Sequence, residues 1–395
     1  MSNVDKQKRG ISFKDVMNEM MEEALKVGYI KSYVKNYENG YPAHDPNQFK
    51  APLKITFHDN TEWLVFSTTS LRDRIKQQYW DAHHLKILNH YITRAFLVYP
   101  DSIEEKEKNL FVAKNEKINT EEPDKREFCP LYALLSQESF SNMLEEYALQ
   151  TLGRGKQKDS KGKNFEKRIA TIMTNPHNLE KWKNKDSVID GYHYTTFEKI
   201  VNIIGIDRTT TTEIDATTDI PKLPSGGSPK TDVLIKVFFN DGLAKNFTFS
   251  CKRTDQKSVS VHQYKADTFA DVLAPDDDEL RRVLNAFQTC GNKRDMVPED
   301  AQILEDKLQP LIPQLCQWAI GGVGGEGDPN VQWAHYIIAY DDNTQEIVLH
   351  TTAEYCKKLV AQKAKAFRTP FSWTYQGDRG TNIQLKCSIF LLLKT

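Results

Sequence analysis

Residues 226–252 constrain this chain more than any other stretch. Residues 233–239 and 246–252 are runs rich in Val, Ile and Phe, and Asn240-Asp241-Gly242 lies between them. Two such runs across an Asn-Asp-Gly turn specify a β-hairpin. An antiparallel ladder sets the entry of one strand beside the exit of the next. Asp232, at the mouth of the first strand, therefore meets Lys252, at the end of the second. A carboxylate and an ammonium then share one end of a sheet. The carboxylate is a hard oxygen donor of the kind Mg2+ takes, and a neighbouring Lys can orient a water or offset charge on a phosphate. The same pair also occurs as a plain surface ion pair in many sheets, so the hairpin alone does not choose between the two.

The flanking residues narrow the choice. Thr231-Asp232 followed by Ser250-Cys251-Lys252 resembles the PD-(D/E)-x-K nucleases, with Ser250 standing where a second acid is expected. Within that superfamily, restriction endonucleases resembling MspI have a neutral polar residue at this place. The strings Gly-Ser-Pro-Lys-Thr-Asp and Ser-Cys-Lys are similar to that branch. Pro370-Phe371-Ser372-Trp373-Thr374-Tyr375 and Arg379-Gly380 with Ile383-Gln384-Leu385-Lys386 are also similar to strings in restriction endonucleases, and residues 53–80 show a weaker likeness.

The resemblance implies an α/β (α+β) fold, a mixed central sheet flanked by helices with added N- and C-terminal elements. It implies a type II site-specific deoxyribonuclease that hydrolyses phosphodiesters in a short double-stranded DNA sequence with Mg2+. Asp232 and the backbone carbonyl of Cys251 would bind the metal, and Lys252 would position water or stabilise charge at the phosphate. Ser250 would contribute only as a neutral hydrogen-bonding group. Glu166 matches the acid that a helix ahead of the hairpin brings toward the metal; a Glu in a first helical turn is equally favoured by the helix dipole. A cognate DNA methyltransferase is implied as a partner. A palindromic target favours a two-fold homodimer, with a monomer as the alternative.

A formal net charge of −1 over 395 residues excludes a global positive field, so DNA contact must rest on local patches. Residues 153–168 and the segment from Lys357 onward are two basic runs that could serve. Single candidates for DNA contact are Lys230, Arg253, Lys257, Ser258, His262, Gln263, Arg368, Ser372, Arg379 and Lys386. The six cysteines form no CxxC pair, which argues against a zinc module or a disulfide framework. No apolar run is long enough to span a membrane, and the first nine residues are polar, so a reducing, cytoplasmic setting is expected.

Along the chain, residues 1–152 read as an N-terminal helical and hairpin region that could contact DNA, and residues 153–395 as the endonuclease core with C-terminal DNA-recognition elements. A helix is expected over 11–27 and a second hairpin over 53–57 and 63–67. Residues 102–126 have few large apolar side chains and read as an exposed excursion. Residues 258–273 look helical, and the acids at 276–279 suit a helix N-terminus. The glycines at 321–327 lack the Lys-Ser/Thr of a nucleotide loop and read as a mobile loop ahead of strands at 334–340 and 346–350. Two other functions fit these residues: a structure-specific or repair nuclease on the same core, and a non-catalytic DNA-binding module, which the missing second acid favours.

Overall fold

The structure, a computed structural model, describes residues 3–42, 44–70, 74–120, 131–151, 154–375 and 382–388. The chain forms two compact units. One comprises residues 1–160 and 171–198, the other residues 161–170 and 199–395. Among the described residues no helix is long and apolar enough to cross a membrane.

The first unit is built on a mixed sheet of order β1-β2-β3-β4-β5. Its strands are β1 (Ser32–Glu38), β2 (Lys50–Thr56), β3 (Glu62–Ser67), β4 (Ile92–Tyr99) and β5 (Ala133–Ser136). β1, β2 and β3 run antiparallel, and β3, β4 and β5 run parallel. The expected hairpin at 53–67 is the β2–β3 pair. In β2 the side chains of Ala51, Leu53 and Ile55 are buried and alternate with more exposed neighbours, the period that a sheet with one covered face requires. The helix Arg74–Leu88 connects β3 to β4 and packs Ala82 and Leu85 among Leu64, Phe66 and Leu97. Residues 105–120, expected as an exposed excursion, instead form a helix. Phe111 supplies its fully buried anchor, and Glu105 and Glu107 complement the dipole at its start. One well-placed ring can dock a helix that is otherwise polar. Residues 171–198 also pack in this unit: Ser12 Oγ donates to the carbonyl of Asp190 at 3.2 Å, and Arg9 Nε lies 3.6 Å from its carboxylate.

In the second unit the larger sheet has the order β11-β10-β8-β7-β6. Its strands are β6 (Thr211–Thr217), β7 (Val233–Phe239), β8 (Ala244–Thr254), β10 (Tyr336–Asp341) and β11 (Glu346–Thr351). β7 and β8 are the hairpin read from the sequence, with Val233 opposite Phe249. On its other side β8 pairs in parallel with β10, Cys251 opposite Ile338. A smaller sheet has the order β12-β13-β9, made of β9 (Val259–Tyr264), β12 (Ser372–Tyr375) and β13 (Ile383–Cys387). Its inner face joins a core with Phe269, Leu284, Phe287, Leu304, Leu315 and Trp318. The helix Asp278–Cys290 is capped by Asp277, which accepts from the N–H of Leu280 at 2.9 Å, so the acids at 276–279 do mark a helix start.

Two expectations need correction here. Residues 258–273 are not one helix: β9 occupies 259–264 and a helix follows at Ala266–Leu273. Val-Ser-Val-His-Gln-Tyr alternates with period two, and that pattern outweighs the serines that look like helix caps. Within the stretch 321–327 expected as a mobile loop, Gly321 and Gly325 are closely packed, whereas Gly324 is in open space. A Cβ on Gly321 would fall 2.7 Å from the carbonyl oxygen of Ala334, and one on Gly325 would fall 2.5 Å from Trp318 Nε1.

Candidate active site

The end of the β7–β8 hairpin gathers the predicted chemistry. The Asp232 N–H donates to the carbonyl of Phe249 at 2.8 Å, extending the ladder by one residue and fixing the carboxylate at the strand mouth. Asp232 Oδ2 then accepts from three donors on β8: the Cys251 N–H at 2.7 Å, Ser250 Oγ at 3.1 Å and Lys252 Nζ at 3.1 Å. Lys252 Nζ also donates to the carbonyl of Cys251 at 3.0 Å. Ser250 is therefore a neutral donor that holds the carboxylate in place. Burial alone would lower the Lys252 pKa, yet the charge and hydrogen bond of Asp232 hold it above its ordinary value. Burial pushes the Cys251 thiol well up, with Asp232 and Glu166 adding to the shift, so this side chain is a neutral core group and Cys251 meets the site through its backbone N–H and carbonyl.

Glu166 lies on the helix Arg154–Thr174. Burial first, and the charge of Asp232 second, raise its pKa to about 7, with Lys252 pulling the other way. The acid on the preceding helix is thus within the electrostatic reach of the Asp–Lys pair. Among the described residues no group of three or more His, Cys, Asp or Glu side chains forms a metal nest. The donor set here is instead all oxygen, with two carboxylates and a backbone carbonyl. Asp232 Oδ2 and Cys251 O converge on a single positive nitrogen, each within 3.1 Å of it. That convergence, beside a second carboxylate, is an oxygen donor set of the kind a hard divalent cation takes.

The residues read as DNA contacts divide into three groups. Lys257 and Ser258 are exposed on the loop between β8 and β9. Gln263, Ser372 and Lys386 lie on the smaller sheet, where register sets Ser372 and Ser260 on either side of Lys386 and sets Thr374 and Gln263 on either side of Gln384. Trp373, Leu385 and His262 make the alternate row and turn into the core. Three polar residues of this face, Ser260, Thr374 and Gln384, were not singled out from the sequence. The period-two alternation of the two strings would have found them.

Three of the remaining candidates, Lys230, His262 and Arg253, are held inside the protein. Lys230 Nζ donates to the carbonyls of Val261 at 2.5 Å and Ala319 at 2.9 Å, and burial, followed by the charge of Lys252, lowers its pKa to about 7. His262 is 2% exposed, with its ring 3.9 Å from that of Trp318 and neither ring nitrogen hydrogen-bonded; burial keeps its pKa well below the ordinary value. Arg253 Nε meets Asp342 Oδ1 at 2.7 Å, and Arg368 Nε meets Glu305 Oε1 at 2.5 Å, although the Arg368 side chain is largely exposed. These surroundings occupy Lys230 and Arg253 and enclose His262, which corrects their reading as DNA contacts. A sequence shows that a side chain is basic but not that a carbonyl or carboxylate is waiting for it. Within the first basic run, Lys161 is paired with the other oxygen of Asp342 at 3.1 Å and Arg168 is buried. Arg379 lies outside the described residues.

The fold thus sets Asp232 and Lys252 together at one end of a mixed sheet. The family model for restriction endonuclease MspI matches residues 141–387, and this chain belongs to that family of type II restriction endonucleases. The type II restriction enzyme BsuFI of Bacillus subtilis is 27% identical over 371 residues, covering 88% of this chain and 90% of that protein. The type II restriction enzyme MspI of Moraxella sp is 22% identical over 261 residues, covering 63% of this chain and 98% of that protein. The crystal structure of MspI in complex with its cognate DNA matches with a TM-score of 0.52 and 22% identity, covering 62% of this chain and 97% of that one. The likeness in structure bears on the fold.

Proposed function

We propose that this chain hydrolyses phosphodiesters in double-stranded DNA at a short specific sequence, with Mg2+ as its cation. The observation that carries this reading is the convergence of Asp232 Oδ2 and Cys251 O on the Lys252 ammonium at one end of the hairpin. Asp232 and the Cys251 carbonyl would hold the metal, and Glu166 would add a second carboxylate. When bound, the cation supplies Lewis-acid polarisation of the scissile phosphate and a more acidic water. Lys252, kept protonated by Asp232, positions the attacking water or offsets charge that builds on the phosphate. Ser250 and the Cys251 N–H fix the carboxylate, so little reorganisation is needed as charge develops.

Duplex DNA would lie against the polar face of the smaller sheet. Gln263, Ser372 and Lys386 there offer amide, hydroxyl and ammonium groups to base edges and phosphates, and Lys257 and Ser258 extend the contact. Exposed Lys357, Lys358, Lys363 and Lys365 give a second, sequence-independent phosphate surface. That MspI was crystallised with its cognate DNA supports a duplex partner for this chain as well. The reading includes a cognate methyltransferase to protect host sites, a two-fold dimer if the site is palindromic, and a cytoplasmic location.

The test is a digest of unmethylated plasmid with and without Mg2+, run beside Asp232→Ala and Lys252→Ala. Discrete fragments from the native chain alone, lost in both variants by a factor of about 1,000 or more, are expected. A smear would replace site-specific cleavage with a structure-specific nuclease. Tight binding with no cleavage would leave a DNA-binding module.

A further inference from the structure

Lys230 stands two residues before Asp232, and its surroundings give it a task that a surface lysine does not have. The larger sheet and the β9-β13-β12 sheet share no hydrogen-bonded ladder among the described residues. Lys230 reaches across between them. Its backbone precedes β7 of the larger sheet, while its ammonium donates to Val261 of β9 in the smaller one. The same nitrogen donates to Ala319, in the last turn of the helix Ile312–Gly321.

Both acceptors are places where regular structure runs out. The β9–β13 register steps from Leu385 opposite His262 to Lys386 opposite Ser260, so Val261 has no opposite number. The helix ends before a residue four places beyond Ala319 can donate to it, because the Val323 N–H turns to Gln317. An ammonium has three donors and no acceptor, so it can answer two unserved carbonyls at once. Desolvating an ammonium is costly, and the two carbonyls offset part of that cost only while both stay within its reach. The backbone at this point is fixed as well, since the N–H groups of Lys230 and Thr231 both donate to the carbonyl of Gln332, at 3.1 and 3.2 Å. The next N–H, that of Asp232, joins the ladder.

We propose that Lys230 is a positioning residue that couples the seating of DNA on the smaller sheet to the placement of the Asp232 carboxylate. The coupling rests on the site-specific cleavage proposed above. Val261 lies between Ser260 and Gln263, two residues of the polar face, so a displacement of β9 by a bound duplex is transmitted through one side chain to the strand that bears Asp232. A correct duplex seats β9 and sets Asp232; a wrong one leaves both out of place. Lys230 touches neither the phosphate nor the metal in this scheme.

The experiment uses the full chain with Lys230→Met, which keeps most of the unbranched stem and removes every side-chain donor. Lys230→Gln, with two donors on a shorter stem, covers failure of the first variant to fold. Three quantities are read: binding to a duplex bearing the mapped site with Ca2+ in place of Mg2+, the single-turnover cleavage rate in Mg2+ on that duplex and on one with a single mismatch, and backbone hydrogen exchange without DNA. Binding within about threefold of native, a cleavage rate lower by about 100-fold and a smaller rate ratio between correct and mismatched duplexes are expected, in line with the cost of a misplaced catalytic group. Exchange is expected to rise together in residues 231–235 and 259–264 and to stay unchanged in the sheet of the first unit.

Loss of binding and cleavage in equal proportion, or an unchanged rate ratio, would reduce Lys230 to a stabilising residue and overturn the proposal. A rise in exchange confined to one of the two segments would overturn it as well. If the native chain gives no discrete fragments, the site-specific reading falls and the catalytic coupling falls with it, while the exchange data still decide whether Lys230 ties the two segments together.

Discussion

At the scale of single residues, the site depends on how one carboxylate is held. Asp232 Oδ2 has three donors, so removing one of them should weaken positioning without dismantling the pair. Ser250→Ala is expected to slow cleavage about tenfold, the effect of one hydrogen bond to a charged group, with DNA affinity unchanged. Single-turnover rates beside binding isotherms check this. Glu166 makes a prediction about pH. Its folded pKa of about 7 is raised above the unfolded value, so the folded chain favours the protonated form. The stability this contributes is present below the unfolded pKa and is lost as pH rises through about 7. Without divalent cations, Glu166→Gln should therefore be more stable than native at pH 8, by about 2 kcal/mol after allowance for partial exposure, and should lose that advantage as pH falls toward 4. Denaturant unfolding at the two pH values measures it. Asp232 and Lys252 were legible because a tight turn fixes which strand ends meet, and that is a local property of sequence. The enclosure of Lys230 and His262 was not legible. It depends on Ala319 and Trp318, more than fifty residues further on in the chain.

At the scale of elements, β8 is the strand on which the site is assembled, and one acid at the end of β10 steadies it. Asp342 accepts from Arg253 of β8 and from Lys161 of the helix that bears Glu166. Asp342→Ala removes the carboxylate that a nearly buried guanidinium faces, at a cost of about 3 kcal/mol. Thermal unfolding should show the loss, and cleavage at temperatures well below unfolding should also fall, because the helix that carries Glu166 loses an anchor. Full activity in a destabilised variant would count against that link. Strand composition and the Asn-Asp-Gly turn gave the β7–β8 hairpin from sequence, and the strands β10 and β11 were read as well. Periodicity was misread at 258–264, where capping serines competed with alternation, and at 105–120, where a polar helix docks through Phe111.

At the scale of the whole molecule, the family model begins at residue 141, and MspI covers 63% of this chain, so most of the first unit lies outside that alignment. Its fold could be drawn in part from sequence, but its task could not, because its described side chains form no constellation comparable to Asp232–Lys252. The chain passes between the units more than once, with residues 161–170 in one and 171–198 in the other. Deleting residues 1–152 should therefore strip Trp182, Ile189, Tyr192 and Phe197 of their covering and give an insoluble product, read as the soluble fraction on expression. A soluble, cleaving remainder would refute this. The parallel pairing of β8 with β10 has a consequence in time. Strand β8 is flanked on one side by its hairpin partner but must wait on the other for residues 336–341. Pairings so distant along a chain form late. A nascent chain stalled before that point has all of Asp232, Ser250 and Lys252 yet lacks a strand that supports them, so the capacity to cut is expected only after residues 336–341 have been made.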